Sequence, residues 1–197
     1  MAGFDIVGYM IFAFVTSITP GPNNYLLFSY GKQHGFKDSG KLMFGIFLGF
    51  SALLYITGYG IGELIAQDAV IALVLKIISS LWLLYLGFVL SNLSSKINEV
   101  SVPKVGFFQG FFMQFVNPKA WIMAISGASA FLPHLSNIHL SVFVFTLSFG
   151  FVGVPCMIAW ITLGDVISRF IKSPRAHRVI GVVLFLLMLV CVGMIWM

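Results

Sequence analysis

Uncharged side chains fill residues 6–31, 42–62, 77–95, 120–164 and 179–197, and the charged residues gather in the intervals between these runs. About 20 apolar residues at about 1.5 Å each cross the hydrocarbon of a bilayer, so each run is a candidate transmembrane helix. The run from 120 to 164 is too long for one crossing. "LPHLSN" (132–137), with Pro133 and its polar neighbours, reads as a turn that divides it, and the fourth helix starts near Val105. The pattern predicts six helices. No stretch alternates at period 2 in the manner of a membrane β-barrel.

The first run contains "SITPGPNNYLLF" (17–28), which places two prolines, a glycine and two asparagines inside a membrane-length segment. Proline removes a backbone donor and pushes the residue before it out of the α region, so the run is expected to divide into two half-helices. Asn117-Pro118 repeats the Thr19-Pro20 pattern in the fourth helix, 98 residues later and close to half of the 197-residue chain. Thr19 and Asn117 suit the N-cap and Pro20 and Pro118 the first helical position, although Gly21-Pro22 could move the first start by two residues. Freed backbone groups at membrane depth are tolerated only where protein or a water-filled cavity satisfies them. A helix N-terminus carries about half a positive charge and spare N–H donors, so two of them near the midplane would attract a carboxylate.

Composition agrees with a membrane protein: 59% of residues are hydrophobic, 9% are charged and the mean hydropathy is +1.03. The net charge of +5 is a topology signal rather than a nucleic-acid footprint. Lys32, Lys37 and Lys41 follow the first helix, Lys96 and Lys104 the third, and Arg169, Lys172, Arg175 and Arg178 the fifth. The positive-inside rule therefore places these loops in the cytoplasm and both termini outside. Helices one and four would then run in opposite directions. The chain reads as an all-α polytopic protein, a single transporter domain over 1–197 built from two inverted three-helix repeats, about 1–95 and about 104–197. The first residues carry no basic segment or cleavage site of a signal peptide, so helix one is expected to remain in the mature protein.

Lys119 directly follows Pro118 at the likeliest midplane depth, where an ammonium costs about 2.5–3.5 kcal/mol on insertion scales. It is expected either to face the cavity and attract a carboxylate or to pair with freed carbonyls. Lys76 is a second functional candidate, with snorkelling to the outer interface as its alternative. Asn23, Asn24, Gln114 and Asn117 cluster around the breaks as substrate ligands or as interhelical glue. No Asp or Glu lies in the apolar interior, which favours a small zwitterion with a neutral side chain and leaves proton coupling without an obvious carrier. Gly45/Gly49, Gly58/Gly62 and Gly106/Gly110 are small-xxx-small pairs for close packing, within the chain or across a homodimer. His34, His134, His139 and His177 read as surface histidines rather than a metal site. Cys156 and Cys191 read as buried thiols, and no disulfide is expected. No cofactor is implied.

"TPGPNN" (19–24), "YLG" (85–87) and "QFVNPKA" (114–120), in this order in a six-helix chain, resemble the LysE/RhtB amino-acid exporters. The resemblance implies proton-coupled export of an amino acid across the bacterial inner membrane, with no enzymatic activity. It places the functional core at Pro20, Gly21, Pro22, Asn23, Asn24, Asn117, Pro118 and Lys119, beside Thr19 and Gln114. "HGF" (34–36) and "QFVN" look most like the cysteine/O-acetylserine branch, with homoserine, threonine or leucine exporters as the alternative. Ser79-Ser80 departs from the small Gly or Ala usual in the third helix of the family. A thiol-redox carrier would need cysteines at the breaks. An intramembrane serine protease built on "GASA" (127–130) would need a base, and the sixth helix holds no histidine from Val179 onward.

Overall fold

A computed structural model of the chain describes residues 4–60, 105–170 and 173–196, with isolated helical positions between 70 and 84. Its helices are α1 (Ile6–Ile18), α2 (Pro22–Asp38), α3 (Gly40–Gly58), α4 (Phe107–Val116), α5 (Pro118–Phe131), α6 (Ile138–Phe170) and α7 (Pro174–Trp196), and no strand occurs among the described residues. The first expected span is the broken pair α1 and α2, and the fourth is the broken pair α4 and α5. α3, α6 and α7 are the second, fifth and sixth. The third span, with Lys76, Ser79 and "YLG", lies outside the described residues apart from those isolated positions.

Asp5 starts α1 by accepting the Gly8 N–H at 2.9 Å. α2 does not stop where the uncharged run ends at Gly31. Helical residues continue through Lys32 to His34, Gly35 (φ 79°, ψ 172°) breaks the helix with a kink, and a further turn runs through Lys37 to Asp38, so much of the expected loop is helical. α6 runs for 33 residues and contains Pro155 without ending there. A lone proline flanked by apolar residues therefore leaves the helix continuous, whereas the prolines accompanied by Thr, Gly and Asn interrupt it.

Two glycine seams hold the helices at close range. A Cβ on Gly45 or Gly49 of α3 would lie 2.1 Å from the Phe107 carbonyl oxygen or 2.4 Å from that of Phe111, and one on Gly110 of α4 would lie 2.7 Å from the Leu42 oxygen. On the other seam, a Cβ on Gly31 of α2 would meet the Ile161 oxygen at 2.4 Å, and one on Gly164 of α6 the Phe28 oxygen at 2.0 Å. The first seam uses, within the chain, Gly45/Gly49 and the second glycine of Gly106/Gly110; Gly58 packs on Val142 instead, and Gly62 lies outside the described residues. The second joins Gly31 and Gly164, which the sequence reading did not single out.

Many of the described buried side chains gather in clusters. Tyr9, Ala13, Leu53, Leu54, Ala120, Ala124, Phe145 and Phe149 make one, and the Tyr9 hydroxyl donates to the Phe145 carbonyl at 3.0 Å. Leu26, Leu27, Tyr30, Leu42, Ile46, Met113 and Ile161 make the other. Outward faces are apolar as well, with Val7, Ile11, Phe108, Phe112, Leu147 and Phe151 all exposed. An apolar exterior around an apolar core suits lipid as the surrounding solvent. α3 and α6 are long and apolar enough to span a bilayer on their own.

Candidate functional site

The two helix breaks meet. α2 begins with Gly21 as its N-cap and Pro22 at the first position, and no side chain caps it. The start thus falls at the later of the two positions the sequence allowed, and Thr19 is the C-cap of α1 rather than an N-cap. α5 begins with Asn117 as N-cap, whose side-chain oxygen accepts the Lys119 N–H at 3.1 Å, and with Pro118 at the first position. Asn117 Nδ2 donates to Asn23 Oδ1 at 3.2 Å, which ties the start of α5 to the start of α2.

A paired amide reinforces that tie. Asn23 Nδ2 donates to Gln114 Oε1 at 2.8 Å, and Gln114 Nε2 returns a bond to Asn23 Oδ1 at 3.0 Å while also reaching the Gly110 carbonyl at 3.0 Å. Gln114 and Asn117 are almost wholly buried, at 0% and 1% exposure. Amides both donate and accept, so residues 91 positions apart can satisfy each other where no water reaches.

Breaking α1 frees the carbonyls of its last turn, and each acquires a donor. Asn24 Nδ2 takes the oxygens of Ser17 and Thr19, both at 2.7 Å, and Trp160 Nε1 takes that of Ile18 at 3.3 Å. Lys119 Nζ donates to Thr19 O at 2.7 Å, Thr19 Oγ1 at 3.0 Å and Pro20 O at 3.1 Å. The end of α4 is treated similarly, with Trp121 Nε1 donating to Phe115 O at 2.9 Å. A Cβ on Gly21 would lie 2.7 Å from Lys119 Cδ, so the missing side chain is what lets the lysine lie across the break.

Beside this junction opens a cleft of about 610 Å³, part of it continuous with the outside of the fold. Gly21, Pro22, Asn23, Asn24, Asn117 and Lys119 supply its polar end, together with Thr16, Ser17 and Ser51. Phe47, Phe50, Leu54, Met123, Phe149 and Met157 make the apolar wall, and Gly150 and Gly153 keep it open on the α6 side. The cleft touches both buried clusters, through Leu54, Ala120 and Phe149 of one and Ile46 of the other. No acidic side chain is among the described residues that line it. One cation and two helix starts therefore face a small apolar pocket, an arrangement suited to a carboxylate joined to a modest uncharged group.

A family model described as the LysE type translocator matches residues 14–195. The chain belongs to that family. As a LysE type translocator it is a multi-pass membrane transporter and not an enzyme. It is 28% identical over 185 residues to the cysteine/O-acetylserine efflux protein of Salmonella typhimurium, covering 93% of each chain. It is 26% identical to the proteins of that name from Salmonella paratyphi A, over 184 residues and 93% of each chain, and Klebsiella pneumoniae, over 164 residues, 83% of this chain and 84% of that one. No solved structure matches it.

Of the translocator's sequence-predicted site residues, Gly21, Pro22, Asn23, Asn24, Asn117 and Lys119 line the cleft. Thr19, Pro20 and Gln114 stand behind them as acceptors and as the buried amide, and Pro118 shapes the start of α5. Lys76 lies outside the described residues. The sequence reading did not name Trp121 and Trp160, whose indole N–H groups repair the breaks, nor the aromatic and methionine wall. Single tryptophans in apolar helices give no local signal of this role. His34, expected at the surface, sits half-buried inside α2 with its ring 4.4 Å from that of Tyr30. Cys156 is a buried free thiol of α6.

Proposed function

We propose that this translocator exports a small neutral amino acid or derivative, of the cysteine or O-acetylserine type, from the cytoplasm of a bacterium across its inner membrane in exchange for protons. Both termini lie outside, and the segments 1–95 and 104–197 act as inverted halves that expose the cleft to each side in turn. The starts of α2 and α5 and the positive charge of Lys119 draw the substrate carboxylate. The unwound carbonyls of Thr19 and Pro20 receive its ammonium, and its side chain lies against Phe47, Phe50 and Met123.

The observation that carries this reading is the meeting of two proline-started helices at a cleft whose described lining holds Lys119 and no Asp or Glu. The absence of Asp and Glu among the described lining residues disfavours lysine or arginine as cargo, since none of these residues would pair with a second cation. The names of the relatives support the choice of cysteine and O-acetylserine. The apolar wall also favours testing leucine, threonine and homoserine. Uptake of labelled cysteine and O-acetylserine into everted vesicles, with and without an imposed proton gradient, is the test. Gradient-driven accumulation is expected; no uptake of any member of this panel by folded, inserted protein overturns the proposal.

A further inference from the structure

Gly150 and Gly153 of α6 both line the cleft, and their surroundings differ. A Cβ on Gly150 would lie 2.9 Å from Phe47 Cε2, so the Phe47 ring of α3 already rests against that position. A Cβ on Gly153 would find its nearest neighbours at 3.4 and 3.5 Å in the Phe149 ring and at 3.8 Å in Ser17 Oγ, all at ordinary contact distance. The space over Gly153 therefore admits a methyl group without displacing Phe149 or Ser17. We infer that Gly153 is the specificity-determining position of the cleft: the far end of the cargo side chain fills the space over its bare Cα, beside the Phe149 ring on one side and the Ser17 hydroxyl on the other. This rests on the exporter reading given above and deepens it, adding a boundary on α6 to the wall assigned to Phe47, Phe50 and Met123.

The apolar side of this space is stiff. Phe149 is 4% exposed, and its ring packs on Phe50 with centroids 4.8 Å apart and on Tyr9 at 6.2 Å. Rings packed at interior density retreat only at a cost, so extra atoms over Gly153 displace cargo rather than protein. An empty space of this size forfeits dispersion contacts, which a small apolar group on the cargo restores.

The polar side is fixed by the backbone that carries it. Ser17 lies in the last turn of α1, where its carbonyl accepts from Asn24 Nδ2 at 2.7 Å. The neighbouring hydroxyls are engaged: Thr16 Oγ1 donates to Phe12 O at 2.7 Å and Thr19 Oγ1 to Thr16 O at 3.1 Å. Ser17 Oγ is placed between α1 and Gly153 with a proton to give to an acceptor on the cargo. A methyl-sized space with one apolar and one hydroxyl neighbour suits a short side chain that ends in a small apolar group next to an oxygen, as the ester of O-acetylserine does. Leucine has similar length and offers the hydroxyl no acceptor.

Everted vesicles carrying the full chain test this by competition. The labelled member of the panel cysteine, threonine, homoserine, O-acetylserine and leucine that enters fastest is competed with each member unlabelled, in wild type and two variants. In Gly153→Ala the half-inhibitory concentrations of O-acetylserine and leucine are expected to rise at least about tenfold relative to cysteine, since one methylene in an apolar pocket discriminates by about 10- to 200-fold. Alanine is the better helix former, so the change does not weaken α6. In Ser17→Ala the value for O-acetylserine is expected to rise about three- to tenfold relative to leucine, the worth of one neutral hydrogen bond. A purely structural role for either residue would weaken all members alike. Ratios in Gly153→Ala that match wild type to within about twofold overturn the inference, as does an equal loss of every member by a variant that unfolds at the wild-type temperature. If Gly153→Ala does not fold, an unchanged ratio of O-acetylserine to leucine in Ser17→Ala overturns it instead. A wild type that takes up no member of the panel sinks the exporter reading and this inference together, whereas uptake with ratios that both variants leave unmoved sinks this inference alone.

Discussion

Removing the Gln114 amide tests whether the two broken helices are joined as described. In Gln114→Leu the bonds of 2.8 and 3.0 Å to Asn23 are lost. Asn23 Oδ1 keeps its donor from Asn117 at 3.2 Å, so the group left without a partner is Asn23 Nδ2. Stranding a buried donor costs about 1–3 kcal/mol. Asn23 is only half-buried and borders the cleft, and interhelical hydrogen bonds in membranes average about 0.6 kcal/mol. The expected loss is therefore about 1–2 kcal/mol. Asn23→Ala should cost more, about 2–3 kcal/mol, because it strands both the oxygen of the wholly buried Gln114 and the Asn117 amide. In the double variant the orphaned Gln114 oxygen disappears, so the two losses should overlap by about 1 kcal/mol. Cys156 is buried and free, so a thiol-reactive fluorogenic dye can follow thermal unfolding in detergent. Each kcal/mol corresponds to roughly 2–4 °C in a chain of this size. Losses that add to within about 0.3 kcal/mol, or a Gln114→Leu variant as stable as wild type, would refute the amide pair as a tie between the halves.

The glycine seams predict a sharp contrast between a glycine inside a seam and one outside it. Gly164→Ala drives a Cβ to 2.0 Å from the Phe28 carbonyl and should lower stability by about 1–3 kcal/mol, whereas Gly40→Ala meets nothing within 4 Å and should be neutral to within about 0.5 kcal/mol; the same dye assay compares them. Tyr9→Phe removes the bond to Phe145 and should cost about 0.5–1.5 kcal/mol while leaving vesicle uptake near wild type, since Tyr9 does not line the cleft. Asn24→Leu strips the Ser17 carbonyl of its side-chain donor and places a branched apolar group at the cleft, so uptake should fall at least about tenfold at matched expression. Uptake at the wild-type rate in that variant would show that repair of the α1 end is dispensable.

Where a helix must break was legible from composition alone. Thr19 to Asn24 and Asn117-Pro118 combine missing donors with side chains able to cap, and the structure interrupts the chain at both. Pro155 shows the limit of reading prolines singly, since α6 continues through it. The helical turns beyond Gly31 were not legible, because charge ends an apolar run without ending a helix; the break comes at Gly35 instead. Gly45, Gly49 and Gly110 belong to pairs singled out by spacing, whereas Gly31 was passed over although Gly35 stands four residues on, and Gly164 has no glycine at that spacing; in every case the backbone it opposes lies far away in sequence.

By itself, the sequence determined that this chain is an all-helical membrane protein, where its apolar runs lie and where two of them are interrupted. These are properties of local hydropathy and backbone chemistry, which act over a few residues and need no knowledge of distant contacts. Only the tertiary structure decided that the interruptions meet, that Asn23 pairs with Gln114, and that Lys119 spans to the carbonyls of Thr19 and Pro20. Those contacts join residues 91 to 100 positions apart. They follow from how glycine seams bring helices together in space, and no local pattern encodes that approach.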